Sequence, residues 1–576
     1  MFFMKKIFNN IALVLAAACL VFASCSQEQL DTEPTSSVAE SNIFSSPESA
    51  LMAVNGIHRL MHEGGSSGTT TSWYGQGGYT TFMLHLAWLS DDVVWTYENV
   101  MYKFTAQWTH QWNLTHTYND LNYYWKLFYR ITNNANKILE TIDDKEACPS
   151  TDDGMRNFVK GQALAYRSFA LFQLTQTWGE RYYPEKAGKN DQLGAIIRKE
   201  PSFDNLPRST VEQCYVQILD DINAAIECLG NIGTVTKANK THIDIWVAKG
   251  LKARVLLTMG KWAEAAAVAE DVVNNSGAKL QDDTYTCGPF KNQMSDMENT
   301  EWLWAQGHSD DVTQHGALRA WHSFFSNNSA SYNRNSPRAI NNLLYATIPA
   351  TDVRKNCWCE DPWATGVKKG NVTAPAGVNL WIPTGSARVC PWMSQKWLID
   401  DGGVQNTYFD VPYMRLPEMM LIAAEGYARA GQAGKAEPFL LKLAQHRDPA
   451  YTLDNGAVAK GEDKTLINQI MWQRRVELWG EGGLRWLDLK RLNLPCDRGP
   501  KPRAGYNQGG TANGWSTSMK KMPDNLDPEA SNYNMYGEQF PGESARFIPA
   551  NSLKWQWLLP YNEINSNPLA EQNPTN

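Results

Sequence analysis

Beyond its first residues the chain has no uninterrupted apolar run of the roughly 18–20 residues that a membrane-spanning helix requires. It also has no basic run. With 53 Lys and Arg against 60 Asp and Glu, the formal net charge is −7, which argues against a nucleic-acid partner. HExxH, Walker and helix-opening GxGxxG patterns are all absent, and the GxSxG spacing of Gly64–Gly68 lies in a glycine-rich stretch with no strand-then-helix pattern around it, so the common hydrolase, NTPase and dinucleotide chemistries have no motif to stand on. Gly64–Gly68 and Gly75–Gly78 are glycine-rich but lack the Lys-Ser/Thr that grips a phosphate, and they read as loops. His58 and His62 stand at i,i+4 without a third ligand and read as a solvated helix face, and Cys357-Trp358-Cys359 lacks the second ligand pair of a zinc site. Asp91, Asp92, Glu298 and Glu301 lie near aromatic segments, but nothing in the sequence pairs two of them as a glycosidase requires. No catalytic residue, metal or cofactor is therefore expected.

What is present begins with an address. Lys5 and Lys6 precede an apolar run from Ile11 to Ala23, giving the charged and apolar regions of a signal peptide, too short for a permanent span. Phe22-Ala23-Ser24-Cys25 has the form of a lipobox. Residues 1–24 are expected to be a cleaved signal peptide, Cys25 the lipidation site, and the polar stretch from 25 to 46 a flexible tether. Several acyl chains make a stable membrane anchor, whereas one is marginal. Of the 10 cysteines, Cys214 and Cys228 fall about 21 Å apart on one predicted helix and cannot bridge. Free thiols are expected for the most part, with a disulfide involving Cys357, Cys359 or Cys390 left open.

Residues 472–491, WQRRVELWGEGGLRWLDLKR, interleave Arg474, Arg475, Glu477, Glu481, Arg485, Asp488 and Arg491 with Trp472, Leu478, Trp479, Trp486, Leu487 and Leu489. Charges set this closely among large apolar groups must be partly buried, and a buried charge needs a partner. The spacing predicts a helix ending near Gly480, a turn, and a short second helix, with Glu481–Arg485 and Asp488–Arg491 paired within the run. These charges read as a fixed ion-pair network rather than as catalysts.

Helical periodicity and caps place further helices from Pro47, over 120–142, over 155–178, and from a capping box at Ser209–Glu212 to Leu229. Helical hairpins are expected at 242–275 and 413–445, each with a glycine near the turn and an Ala-rich partner helix, resembling degenerate tetratricopeptide repeats. Their separation in sequence argues against a regular solenoid. Residues 276–411 and 496–550 lack helical period and are rich in Gly, Pro, Asn and Trp, as functional loops are.

The run 472–491 resembles the C-terminal signature of the SusD-like (RagB/SusD) family, with Gln473 standing where Glu is usual. The ending from Leu559-Pro560 through Glu563-Ile564, Asn567-Pro568 and Gln572-Asn573-Pro574 resembles the family's tail. Tyr129, Ile131 and Asn134 or Asn136, the stretch Ala165–Leu171, and Tyr413–Glu425 match its other motifs in order. The resemblance implies a mainly α fold of tetratricopeptide-like hairpins framing long irregular loops in a single large domain. It divides into an N-terminal helical part at 47–275, a Trp-rich insertion at 276–411 and a C-terminal part at 412–576. It also implies a non-catalytic, lipid-anchored outer-membrane protein that captures oligosaccharides for a SusC-like TonB-dependent transporter. Peptide capture and a scaffold without small ligand are the alternatives.

Of the 23 tryptophans, fourteen fall within 73–125 and 302–397, and of these Trp125 alone sits on a clearly predicted helix. An indole offers a flat apolar face and one N–H donor, suited to the C–H face of a pyranose. The resemblance places the glycan platform on residues 64–119 and 285–340. The implied ligand contacts are Trp95, Tyr97, Trp108, Trp321, Phe324 and Tyr332, with Asp92, Asn99, Arg319 and Asn328 as polar partners.

Overall fold

The computed structural model describes residues 40–62, 76–95, 115–282, 294, 296–307, 325, 338–360, 368–370, 381–383, 392–396, 410–500 and 546–575. Eleven longer helices carry these residues: α1 Pro47–Leu60, α2 Gly78–Trp88, α3 Asn119–Thr141, α4 Asp153–Trp178, α5 Val211–Gly230, α6 Ile245–Thr258, α7 Trp262–Asn275, α8 Leu416–Arg429, α9 Ala433–Arg447, α10 Leu466–Glu477 and α11 Leu484–Arg491. Side-chain caps start five of them. Ser46 caps α1 ahead of Pro47, and Ser49 N donates to Ser46 Oγ at 3.2 Å. Asp244 caps α6, accepting from Trp246 N and Val247 N. The expected capping box on α5 is real but one residue further on, joining Thr210 to Gln213 rather than Ser209 to Glu212. Ser209 N and O are instead paired with Ala195 O and Gly194 N, so Ser209 belongs to the preceding loop.

Helices α3 to α7 pack in sequence order, and α8 then packs directly on α7, with α9 and α10 against α8. The two expected hairpins are therefore α6–α7 and α8–α9, neighbours in space across the excursion 276–411. Gly426 permits the contact: a Cβ there would lie 2.5 Å from Trp262 O and 2.9 Å from Ala266 Cβ. The buried pair Arg254–Glu418, with bonds of 2.7 and 2.6 Å, ties α6 to α8.

Helix α2 was not foreseen. It lies inside the expected loop 64–119, and all of its residues are buried, including Phe82, His85 and Trp88. A helix covered on every side has no polar stripe, so its periodicity carries no signal.

The strands are short. β1 Val93–Trp95, β2 Trp302–Gln306, β3 Arg338–Ile340, β4 Trp358–Cys359, β5 Lys368–Gly370, β6 Trp381–Pro383, β7 Met393–Ser394, β8 Val411–Arg415, β9 Cys496–Asp497 and β10 Phe547–Ile548 form one four-stranded sheet, ordered β1-β3-β7-β4, and three pairs, β2-β8, β5-β6 and β9-β10. Among the described residues no helix is long and apolar enough to cross a membrane. Cys148, Cys214, Cys228 and Cys496 are free thiols. The signal peptide and Cys25 lie outside the described residues.

Candidate functional site

The four-stranded sheet is the point from which the Trp-rich segments depart. β1 pairs antiparallel with β3, with Trp95 opposite Arg338, so the two stretches implied as a glycan platform meet in one register. Residues 96–114 follow β1, 326–337 enter β3, 361–391 join β4 to β7, and 397–409 follow β7.

Each strand is clamped at its edge by the signature helices or the residues that follow them. Ahead of β1, Arg475 donates to Asp92 at 2.6 Å and Arg485 to Asp91 at 2.7 Å. Trp479 Nε1 donates to Asp92 O at 2.9 Å. Behind β3, Asn341 Nδ2 donates to Asp91 O and to Arg498 O, both at 3.1 Å. Ahead of β4, Arg354 reaches Glu477 at 3.1 Å. Behind β7, Lys396 Nζ donates to Glu481 at 2.6 Å, to Glu477 O at 2.8 Å and to Trp479 O at 2.9 Å. Phe325 and Trp358 stand edge-on to Trp479, each with ring centroids 5.5 Å away.

The network extends into the helical body. Glu477 accepts from Arg354, Arg415 and Arg447, and Glu301 from Arg415 and Arg447. Glu425 accepts from Arg491 and Arg429, and Asp488 from Arg474 and Arg491. Burial alone would raise these carboxyls. For Glu425 the guanidiniums of Arg491, Arg429 and Arg474 outweigh it and hold the group at about 2, and Glu477, ringed by Arg447, Arg415 and Arg354, is likewise lowered. Asp91 is treated the same way by Arg485 and Arg475 and sits at about 2. Asp92 is raised, because burial and the neighbouring Asp91 charge prevail over Arg475.

Several expectations change here. The Asp488–Arg491 pair forms at 2.8 Å, but Glu481 turns to Arg415 and Lys396, and Arg485 to Asp91. Gly480, Gly482 and Gly483, all at positive φ, end the helical path between Glu481 and Arg485, so i,i+4 spacing there is not one turn. Asp92 is 2% exposed and engaged by Arg475; it clamps β1 and is not a ligand partner at the surface. Asp91 and Glu301 serve the same network. His58 and His62 are half-buried rather than solvated, with burial lowering them to about 3 and about 4.

Six of the fourteen clustered tryptophans have described side chains: Trp88, Trp125, Trp302, Trp304, Trp358 and Trp392. They are between 0% and 3% exposed and belong to the core. The side chain of Trp95 and the residues Tyr97, Asn99, Trp108, Arg319, Trp321, Phe324, Asn328 and Tyr332 lie outside the described residues; of Trp95 the backbone in β1 is described. Lys396 and Arg354 went unrecognised, since each lies far in sequence from the acid it meets. The available signal was indirect, because buried Glu477 and Glu481 demand more cations than their own helices supply.

Comparison with known proteins places this architecture. Residues 78–257 match a family model described as "Starch-binding associating with outer membrane", and residues 324–575 match the SusD family model. A SusD-like protein of Bacteroides ovatus is 21% identical over 316 residues, 52% of this chain; the chain spans about half of that relative's length, 51%. A SusD-like carbohydrate binding protein from Bacteroides vulgatus superposes with a TM-score of 0.67 at 21% identity, covering 92% of this chain and 98% of that one. A SusD superfamily protein from Bacteroides thetaiotaomicron gives 0.63 at 23% identity, covering 92% and 100%. Surface glycan-binding protein A from the same species, solved with laminarihexaose, gives 0.59 at 15% identity, covering 91% and 99%. The clamped sheet and most of the helical stack thus fall within two family matches, at 78–257 and 324–575, and the chain belongs to the SusD family.

Proposed function

We propose that this protein captures an oligosaccharide at the cell surface on the Trp-rich segments that leave the four-stranded sheet, without chemically altering it, and passes it to a TonB-dependent transporter in the outer membrane. The observation that carries this reading is the sheet itself. It gathers segments distant in sequence, and buried ion pairs at β1, β4 and β7 with the Asn341 amide at β3 hold every strand, giving loop-borne ligand contacts a rigid base. The carboxylates near the aromatic segments support a non-catalytic role, since Asp91, Asp92 and Glu301 are each engaged by arginine. The family description, and a fold neighbour solved with a glucan oligosaccharide, favour a glycan over other polar ligands. The lipobox ending at Cys25 supplies the anchor and residues 25–46 the tether; residues 47–275, 276–411 and 412–576 form the body.

Calorimetric titration of a soluble chain beginning after Cys25 tests the reading, using plant, microbial and host glycans and mixed peptides. Saturable glycan binding without product is expected. Trp95→Ala and Trp321→Ala should each weaken it by about 1–3 kcal/mol, by analogy with base stacking on aromatics. Peptide binding in place of glycan binding, or unchanged affinity in both variants, contradicts the assignment.

A further inference from the structure

A separate cleft lies where three stretches meet: the segment after α4, the end of α11 and residues 551–556. Its volume is about 120 Å³, and Glu180, Arg181, Tyr183, Lys490, Asn493 and Trp555 are among the residues that line it. The size suits one sugar ring rather than a polymer.

Arg181 is the unusual member. A guanidinium has five N–H donors. Here Nη1 makes one long bond, 3.4 Å to Tyr182 O, Nε is buried without a partner, and the ion pair to exposed Glu185 stretches to 3.8 Å. The group lies 4.1 Å from the centroid of the Tyr183 ring, which fixes its plane while leaving most of its donors unused. Lys490 also lines the cleft, but burial lowers it to about 7 and its Nζ is committed to Gln176 O and Gly179 O at 2.8 Å each and to Thr177 O at 3.4 Å, which leaves Arg181 as the cation open to a ligand. Glu180 is the one acid among the lining residues, and it accepts from Tyr183 OH at 3.0 Å.

The amides beside these groups are held by backbone. Asn493 ends α11 in a left-handed conformation, φ 54°, with Leu494 N closing onto Leu489 O at 2.8 Å, the usual helix stop. Asn551, φ 60°, is also left-handed, and its N–H donates to Asn493 Oδ1 at 3.2 Å. That leaves the Asn493 Nδ2 donors available at a fixed place, and Gln556 adds another amide to the lining. An under-bonded arginine, amide donors and the aromatic Trp555 and Tyr183 together describe a hydroxyl-rich ring with a carboxylate, which arginine recognises in a planar, bidentate way.

We propose that this cleft is a second saccharide site, distinct from the Trp-rich segments, which takes one uronic-acid unit with its carboxylate on Arg181 and its hydroxyls on Asn493 and Gln556. Titration of the soluble chain with tri-galacturonate and with the neutral galactose trisaccharide tests it. The acidic sugar should bind at least tenfold more tightly, Arg181→Gln should abolish that preference without lowering the melting temperature, and Trp95→Ala should leave it intact. Hydrogen exchange on the unmutated chain should show protection by tri-galacturonate at residues 180–183, 489–494 and 551–556, a readout that does not depend on the variant folding. Equal affinity for the neutral sugar, no binding of the acidic one, or no protection at those residues overturns the proposal. Loss of acidic binding in Trp95→Ala with no effect of Arg181→Gln also overturns it, and assigns the sugar to the Trp-rich segments.

Discussion

Glu477 is 0% exposed and meets three guanidiniums. Converting it to the isosteric amide leaves Arg354, Arg415 and Arg447 facing one another with Glu301, Asp352 and Glu481 as the remaining acids. Breaking a buried pair by removing one partner costs about 3–5 kcal/mol, because the other charge stays buried. Glu477→Gln should lower the unfolding free energy by that amount in urea melts of the soluble chain. By contrast, loss of the exposed Lys137–Glu140 pair, at 3.5 Å, should change stability by no more than about 0.5 kcal/mol. The two variants together separate a buried network from ordinary surface charge. A loss below about 1 kcal/mol in Glu477→Gln would show that water relieves the buried arginines.

At the level of elements, the turn between α10 and α11 decides how the signature reaches β1. Gly483 has φ +66°, and a Cβ there would lie 2.1 Å from Leu86 Cβ on α2. Gly431, φ +74°, ends α8 with nothing within 4 Å. Gly483→Ala should therefore destabilise by about 1–3 kcal/mol through both strain and overlap. Gly431→Ala should cost only the backbone term, about 1 kcal/mol; equal melting-temperature losses in the two would remove Leu86 from the account. This turn also marks how far sequence reasoning reaches. The break at Gly480, the two helices around it and the burial of their charges were legible, because close interleaving of charge and tryptophan has few physical solutions. Who pairs with whom was legible only within one helix, as for Asp488 and Arg491. Lys396, Arg354 and Arg415 reach the site from 62 to 123 residues away, and no spacing rule spans that distance. The hairpins α6–α7 and α8–α9 were legible from the glycine near each turn and the Ala-rich second helix, whereas α2 was not, being buried on all sides. Tryptophan density does not by itself separate ligand contact from core, and the described members of the cluster fill the core, as most tryptophans do.

For the whole molecule, the same carboxylates that clamp the sheet also join α8, α10 and α11 to it, so sheet and helical body should fail together in acid. Two kinds of group set the window. His85, buried in α2, is lowered from 6.5 to about 3. An unfolded chain binds its proton first, so the stability it contributes is present above 6.5 and is lost as pH falls toward 3. Glu425 is lowered from 4.5 to about 2. Its contribution is full above 4.5 and is lost as pH falls through 2, and a shift of that size corresponds to about 3 kcal/mol. Stability of the soluble chain should thus begin to fall below pH 6.5 and steepen below 4.5. Glu425→Gln should flatten the lower limb and leave the upper one unchanged. Because Trp472, Trp479 and Trp486 are buried beside the network, tryptophan fluorescence reports the clamp while far-ultraviolet circular dichroism reports the helices. The two acid transitions should coincide; a fluorescence change complete before the helices melt would mean that the sheet is fastened to the body by apolar packing and that the ion pairs serve only its local geometry.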